Sequence, residues 1–186
     1  MLKDMIAKFE KVSFDQYVAD RIKCGCRLCN EIYKEEYEKI KIPSRATSGS
    51  VGYDFYLPYD ISLNVGEFIV IPTGIRCKMI EGYSLDIYPK SGLGFKNFTT
   101  IANTIGIIDA DYYCSDNEGH IMIKLINKGF DVIRDKNDTT ADICKILNRK
   151  QGESFVQGIF HECFGALNDY DNPEMKIRNG GFDSTR

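Results

Sequence analysis

Residues 61–88 read ISLNVGEFIVIPTGIRCKMIEGYSLDIY, and their rhythm decides the fold class. Ile61, Leu63 and Val65 alternate with polar neighbours. Phe68 to Ile71, Ile75 to Met79 and Leu85 to Tyr88 make three more short apolar runs. A period of two puts successive side chains on opposite faces of a strand. Asn64-Val65-Gly66 and Pro72-Thr73-Gly74 stand between the runs as turn signals, too closely spaced to leave room for a helix. The pattern predicts an all-β sandwich, barrel or jelly roll and argues against βαβ units. Ile121 to Ile126 repeats it further on.

Outward from this stretch the texture changes. Ser13 with Gln16 three residues later is a capping-box pattern, and Phe14, Tyr17, Val18 and Ile22 follow at helical spacing. Asn30 stands where it can cap a second helix carrying Tyr33, Tyr37 and Ile40 at i, i+4 and i+7. The chain therefore reads as a helical N-terminal extension over 1–42, a β domain over 43–177 and a C-terminal arm over 178–186. The extension is read as a packing appendage rather than a partner-binding helix. Lys128 to Asp142 is polar and charged, and is expected to be a loop or hairpin extension.

A length of 186 residues suits one globular domain with an appendage. With 24 basic against 27 acidic residues, the net charge of −3 offers no general attraction to nucleic acid or an anionic membrane. Any polyanion must be held locally. The N-terminus lacks an apolar signal core and no run reaches the ~18 apolar residues of a membrane span, which predicts a cytoplasmic protein with reduced thiols. Cys77, Cys144 and Cys163 lie in apolar stretches and read as core residues. Cys24, Cys26 and Cys29 crowd three thiols into CGCRLC, yet a tetrahedral zinc site needs a fourth ligand nearby, so the cluster reads as a surface feature.

Five loops are richer in Gly, Ser, Asp and aromatics than hairpin geometry requires: ATSGSVGYDFYLP (46–58), YPKSGLGFKN (88–97), NTIGIIDADYY (103–113), GESFVQGIF (152–160) and RNGGFDSTR (178–186). Singly, each is an ordinary turn. Together and in this order they resemble the five motifs of the homotrimeric dUTP pyrophosphatases, the dUTPases. The third is the most specific, because Gly-Ile-Ile-Asp-Ala-Asp-Tyr repeats the family's Gly-hydrophobic-Ile-Asp-x-Asp-Tyr.

The resemblance implies a dUTPase-like jelly roll, or distorted β-barrel, assembled as a homotrimer whose active sites combine loops of neighbouring chains. It implies Asp109 as the base that activates a water toward the α-phosphorus of dUTP, a chemistry that suits a fixed carboxylate. Tyr112 would lie under the deoxyribose and exclude a 2′-hydroxyl, and Asn103 with the backbone around Gly106 would read uracil. Lys90, Ser91 and Gly92 would meet the bridging oxygen between the α- and β-phosphates, with Gln157 as a neutral donor to phosphate. Asp54 would help place Mg2+ through water, since magnesium keeps several waters and is held largely by phosphates. In the arm, Phe182 would stack on uracil and Arg178 would meet the γ-phosphate. Gly180, Gly181, Ser184 and Thr185 would wrap the phosphates.

Several positions depart from the family's pattern. Lys90 replaces Arg and loses a bidentate fork. Ser154 stands where Arg or Lys is frequent, Val156 replaces Ala, and Asp183 replaces Gly, which predicts weaker γ-phosphate contact. Tyr113 to Gly119 makes a longer tip than usual before the strand resumes at His120, with no role implied for Tyr113 or Cys114. Two alternatives share the scaffold: a dCTP deaminase-type relative, and a dUTPase-like protein that binds a regulator or repressor. The intact Asp109 to Tyr112 segment favours the hydrolase.

Overall fold

The computed structural model describes residues 5–129 and 146–166. Eleven strands and three short helices are present among them, and every strand pairing is antiparallel. The all-β expectation holds, in the jelly-roll class. The runs read from the sequence become β3 (Ile61–Leu63), β4 (Phe68–Pro72), β5 (Ile75–Met79), β6 (Tyr83–Pro89) and β9 (Met122–Asn127). Val65 falls outside β3, in the turn that closes at Gly66.

The widest sheet has four strands in the order β2 (Tyr53–Tyr56), β11 (Ser154–Glu162), β6 and β8 (Gly106–Asp109). A second sheet sets β9 between β4 and β7 (Thr99–Ile101), and β10 (Leu147–Arg149) pairs with β3. Inward-facing Phe55, Leu85, Ile87, Ile71, Ile123, Leu125 and Phe155 meet in one core. The period of two thus delivers one buried set per strand.

The extension differs from its helical reading at its start. Ala7–Lys11 is a strand, β1, paired with β5 from Ala7 opposite Met79 to Lys11 opposite Ile75. Its Phe9 packs on Tyr53, Phe55 and Phe160 with ring centroids 5.3, 5.7 and 5.8 Å apart. Helix α1 (Phe14–Lys23) starts as expected, with the Ser13 hydroxyl accepting from the Gln16 N–H at 3.1 Å. The Gln16 side chain does not close the capping box: it donates to Asp20 instead.

Helix α2 (Asn30–Glu38) has Cys29 rather than Asn30 at its N-cap position, and no side chain caps it. Tyr33 accepts from the Leu28 N–H and donates to the Cys26 carbonyl, which folds the cysteine turn around its ring. The two helices are locked by Arg21, bidentate to Glu36 at 3.1 and 3.0 Å and stacked 3.5 Å over the Tyr59 ring. Cys77 is buried, whereas Cys163 is exposed just past the end of β11, where no sheet covers it. Cys144 and most of the predicted 128–142 loop lie outside the described residues.

Candidate functional site

Asp54 on β2 lies directly opposite Gln157 on β11, which lies opposite Tyr88 on β6. One row across the sheet therefore joins the first, second and fourth motifs. Lys90, two residues past Tyr88, turns back over this row: its Nζ donates to Asp54 Oδ2 at 2.7 Å and to the Ser154 hydroxyl at 3.0 Å. A β-bulge between Ser154 and Val156 aims Ser154 into the cluster while Phe155 stays in the core. Gly52 lets Gln157 pack close, because a Cβ there would sit 2.6 Å from Gln157 Oε1 and displace that side chain.

The chain then enters α3 (Ser91–Asn97), a short helix where the sequence reads as a loop. Ser91 and Gly92 occupy its first turn, whose N–H groups have no partner within the helix. A Cβ on Gly92 would meet nothing within 4 Å, so its open side is available to a ligand. Lys90, Gly92, Leu93, Arg149, Glu153 and Ser154 line a cleft of about 400 Å³ here. Arg149 was not singled out from the sequence. It donates to Asn97 Oδ1 at 2.8 Å and brings a guanidinium to the cleft where Ser154 supplies no charge. In the sequence it is a lone Arg, and only the fold, which brings it to Asn97 of α3, connects it to Lys90.

The third motif occupies the other end of the sheet. Asp109 closes β8 opposite Ser84, and a 3-10 turn, Ala110–Cys114, follows without a capping hydrogen bond from its side chain. Tyr112 is buried, with 8% of its surface open, and its hydroxyl donates to the His120 carbonyl at 3.0 Å. Asn117 donates to that same hydroxyl at 2.9 Å. The longer tip runs to Ile121, and the next strand starts at Met122 rather than His120. Tyr113, to which no role was given, bonds Glu10 and Arg76. Asn103 is exposed on the turn before β8. It shares a cavity of about 760 Å³ with Lys23, Asn117 and Lys124.

Within one chain these two groups do not meet. Asp109 lies beside Ser84, whereas Lys90 turns back over the row at Tyr88, four residues further along β6, which at ~3.3 Å per residue is roughly 13 Å. Within one chain, side chains this far apart cannot contact the same small group of atoms. Arg178, Gly180, Gly181, Phe182, Asp183, Ser184 and Thr185 lie outside the described residues. Among the described residues no cluster of three or more His, Cys, Asp or Glu side chains offers a metal cage. A single carboxylate, Asp54, suits an ion held mainly by phosphates and water.

The comparisons with known proteins agree in one direction. The family model described as dUTPase matches residues 38–163. A deoxyuridine 5′-triphosphate nucleotidohydrolase of Lactococcus lactis is 35% identical over 147 residues, 78% of this chain and 88% of the relative. The crystal structure of a dUTPase from Streptococcus mutans matches with a TM-score of 0.55 at 28% identity, covering 69% of this chain and 90% of that one. A Staphylococcus bacteriophage 80alpha dUTPase matches with a TM-score of 0.56 over 94% of this chain and 96% of that one. At 18% identity that likeness concerns the fold.

Proposed function

The chain belongs to the dUTPase family and hydrolyses dUTP to dUMP and pyrophosphate, and from that premise we propose that Asp109 is the base, working in a homotrimer whose sites are shared between chains. The observation that carries this reading is the separation along β6. Asp109 and Tyr112 stand at one end of the sheet and Asp54, Lys90, Ser91 and Gln157 at the other. A site that needs both groups must draw them from different chains, and a closed ring of chains satisfies every copy alike.

In this site Asp109 accepts a proton from a water as its oxygen attacks the α-phosphorus. The bond to the bridging oxygen breaks, and pyrophosphate leaves with the electron pair. Ser91, the Gly92 N–H, Lys90 and Gln157 donate to the oxygens where charge accumulates. Arg149 faces the same cleft with Glu153 Oε2 3.8 Å from its Nε, and its guanidinium adds donors where Ser154 carries no charge. Tyr112 packs under the deoxyribose, and Asn103 with the backbone at Gly106 reads uracil. By the same resemblance, Phe182, Arg178, Gly180, Gly181, Ser184 and Thr185 contribute contacts to the substrate. Asp54 would hold Mg2+ through water, and the ion, when bound, would supply positive charge against the phosphates.

The test is magnesium-dependent pyrophosphate release from dUTP beside UTP, dCTP and dTTP, with Asp109→Asn as the comparison. Release from dUTP alone is expected, reduced by about 10²–10⁴ in the variant. Full activity in a folded Asp109→Asn protein would remove Asp109 from the mechanism.

A further inference from the structure

The N-terminal extension reaches the segment after Tyr112 at three separate points. Glu10 in β1 accepts from the Tyr113 hydroxyl at 2.6 Å. The Ser13 N–H and hydroxyl donate to the two oxygens of Glu118, each at 2.7 Å, across 105 residues of sequence. Asp20 in α1 lies 2.6 Å from Nδ1 of His120, a residue with no exposed surface. The His120 Nε2 accepts the Gly74 N–H at 2.7 Å, so the ring proton is on Nδ1 and is donated to Asp20.

All three points back onto Tyr112. The His120 carbonyl receives the Tyr112 hydroxyl, Asn117 donates to both of those oxygens, and the Ser115 hydroxyl ties Asn117 to the Tyr112 carbonyl. At Gly119, φ is +70°, and a Cβ there would come within 2.8 Å of the Tyr112 carbonyl oxygen. The chain thus crosses directly behind Tyr112. Glu118 itself has φ +57°, a conformation that costs a non-glycine residue, and its two bonds from Ser13 hold it there.

We infer that the N-terminal extension is a clamp that fixes the position of Tyr112, with Asp20 and Glu118 as positioning residues for the rejection of a ribose 2′-hydroxyl. The inference rests on the proposed place of Tyr112 beneath the sugar. A flat ring rejects a hydroxyl only if it cannot retreat, and a shift of under 1 Å would admit one. His120, pinned by Asp20 on one nitrogen and Gly74 on the other, closes that retreat.

The experiment measures kcat and KM for dUTP and UTP in Asp20→Ala, Glu118→Ala and their double variant. Asp20→Asn and Glu118→Gln, which keep an acceptor, run alongside, and Tm is recorded throughout. The double variant is expected to raise KM for dUTP more than it lowers kcat, and to cut the dUTP/UTP ratio of kcat/KM about tenfold, with the conservative pair restoring most of it. Glu118 is partly exposed, so its single variant serves if the Asp20 change prevents folding. A lower Tm with an unchanged dUTP/UTP ratio would overturn the clamp and leave the extension a purely structural element. Tyr112→Leu separates the two failures. If it lowers the ratio while the clamp variants do not, the clamp alone is wrong. If it leaves the ratio unchanged, the reading of Tyr112 falls and takes the clamp with it.

Discussion

Lys90 Nζ stands 2.7 Å from Asp54 Oδ2, so the cation of the second motif is paired with the carboxylate of the first inside a single chain. The Lys90 side chain keeps 31% of its surface open, against 12% for Asp54. The lysine can therefore face both its partner and an incoming phosphate. The pair holds Lys90 over Ser154 and the Asp54–Gln157 row, which sets its direction before any substrate arrives.

Removing the cation should weaken binding more than chemistry. Lys90→Ala is expected to raise KM for dUTP about tenfold, the equivalent of one charge-assisted hydrogen bond at ~1.5 kcal/mol. Lys90→Arg should lower KM or leave it unchanged, since a guanidinium can fork between Asp54 and a phosphate. Asp54→Asn should shift the magnesium concentration for half-maximal rate upward. Steady-state kinetics at varied dUTP and varied magnesium check all three, and an unchanged KM in Lys90→Ala would remove it from phosphate binding.

Acid should weaken the contacts that hold the N-terminal extension. The Lys8 ammonium hydrogen-bonded to Glu10, followed by the Tyr113 hydroxyl, holds the Glu10 carboxyl down at about 2. The Ser13 N–H and then its hydroxyl hold Glu118 below the usual carboxylate range. At Asp20 burial pushes upward, but hydrogen bonds from His120 and Gln16 outweigh it and the net direction is down. A carboxyl lowered on folding adds stability that is fully present above its unfolded value of about 4 and is lost as pH falls through the folded value. Tm should therefore drop between about pH 4 and about pH 2, with a shallower slope in Glu118→Gln, which starts lower at neutral pH and converges with the wild type in acid. Parallel slopes would show that Glu118 does not supply this dependence.

The strands around Ile71, Cys77 and Leu85 were legible because alternation is a local signal, and the core they form follows from it. β1 was not legible, since Ala7, Phe9 and Lys11 alternate with Lys8 and Glu10 in a run that looks like a charged tail until β5 pairs with it. Gln16 fits a capping box by spacing, yet the acceptor that completes the Ser13 cap is Glu118, which no local rule can find. The loop motifs pointed to Asp54, Lys90, Asp109 and Gln157 by resemblance. Their division between two ends of β6 emerges only from the register that sets Asp109 opposite Ser84. Arg149 and Tyr113 were missed for the same reason: their partners, Asn97 and Glu10, are 52 and 103 residues away.

That division makes the shared site directly testable. A chain carrying Asp109→Asn lacks the proposed base but keeps Lys90 and Ser91, and a chain carrying Lys90→Ala with Ser91→Ala keeps Asp109 but lacks the proposed phosphate contacts. Each alone should be nearly inactive. Unfolded together in equal amounts and refolded, they should recover about one quarter of wild-type activity. In the proposed shared site Asp109 comes from one chain and Lys90 from another, and each is intact in half of the chains, which gives the fraction. Mixing without unfolding should recover little, since exchange requires the ring to open. If the base and the phosphate contacts came from the same chain, no mixture could assemble an intact site. A mixture no more active than its parents would place both groups in one chain and contradict the separation along β6.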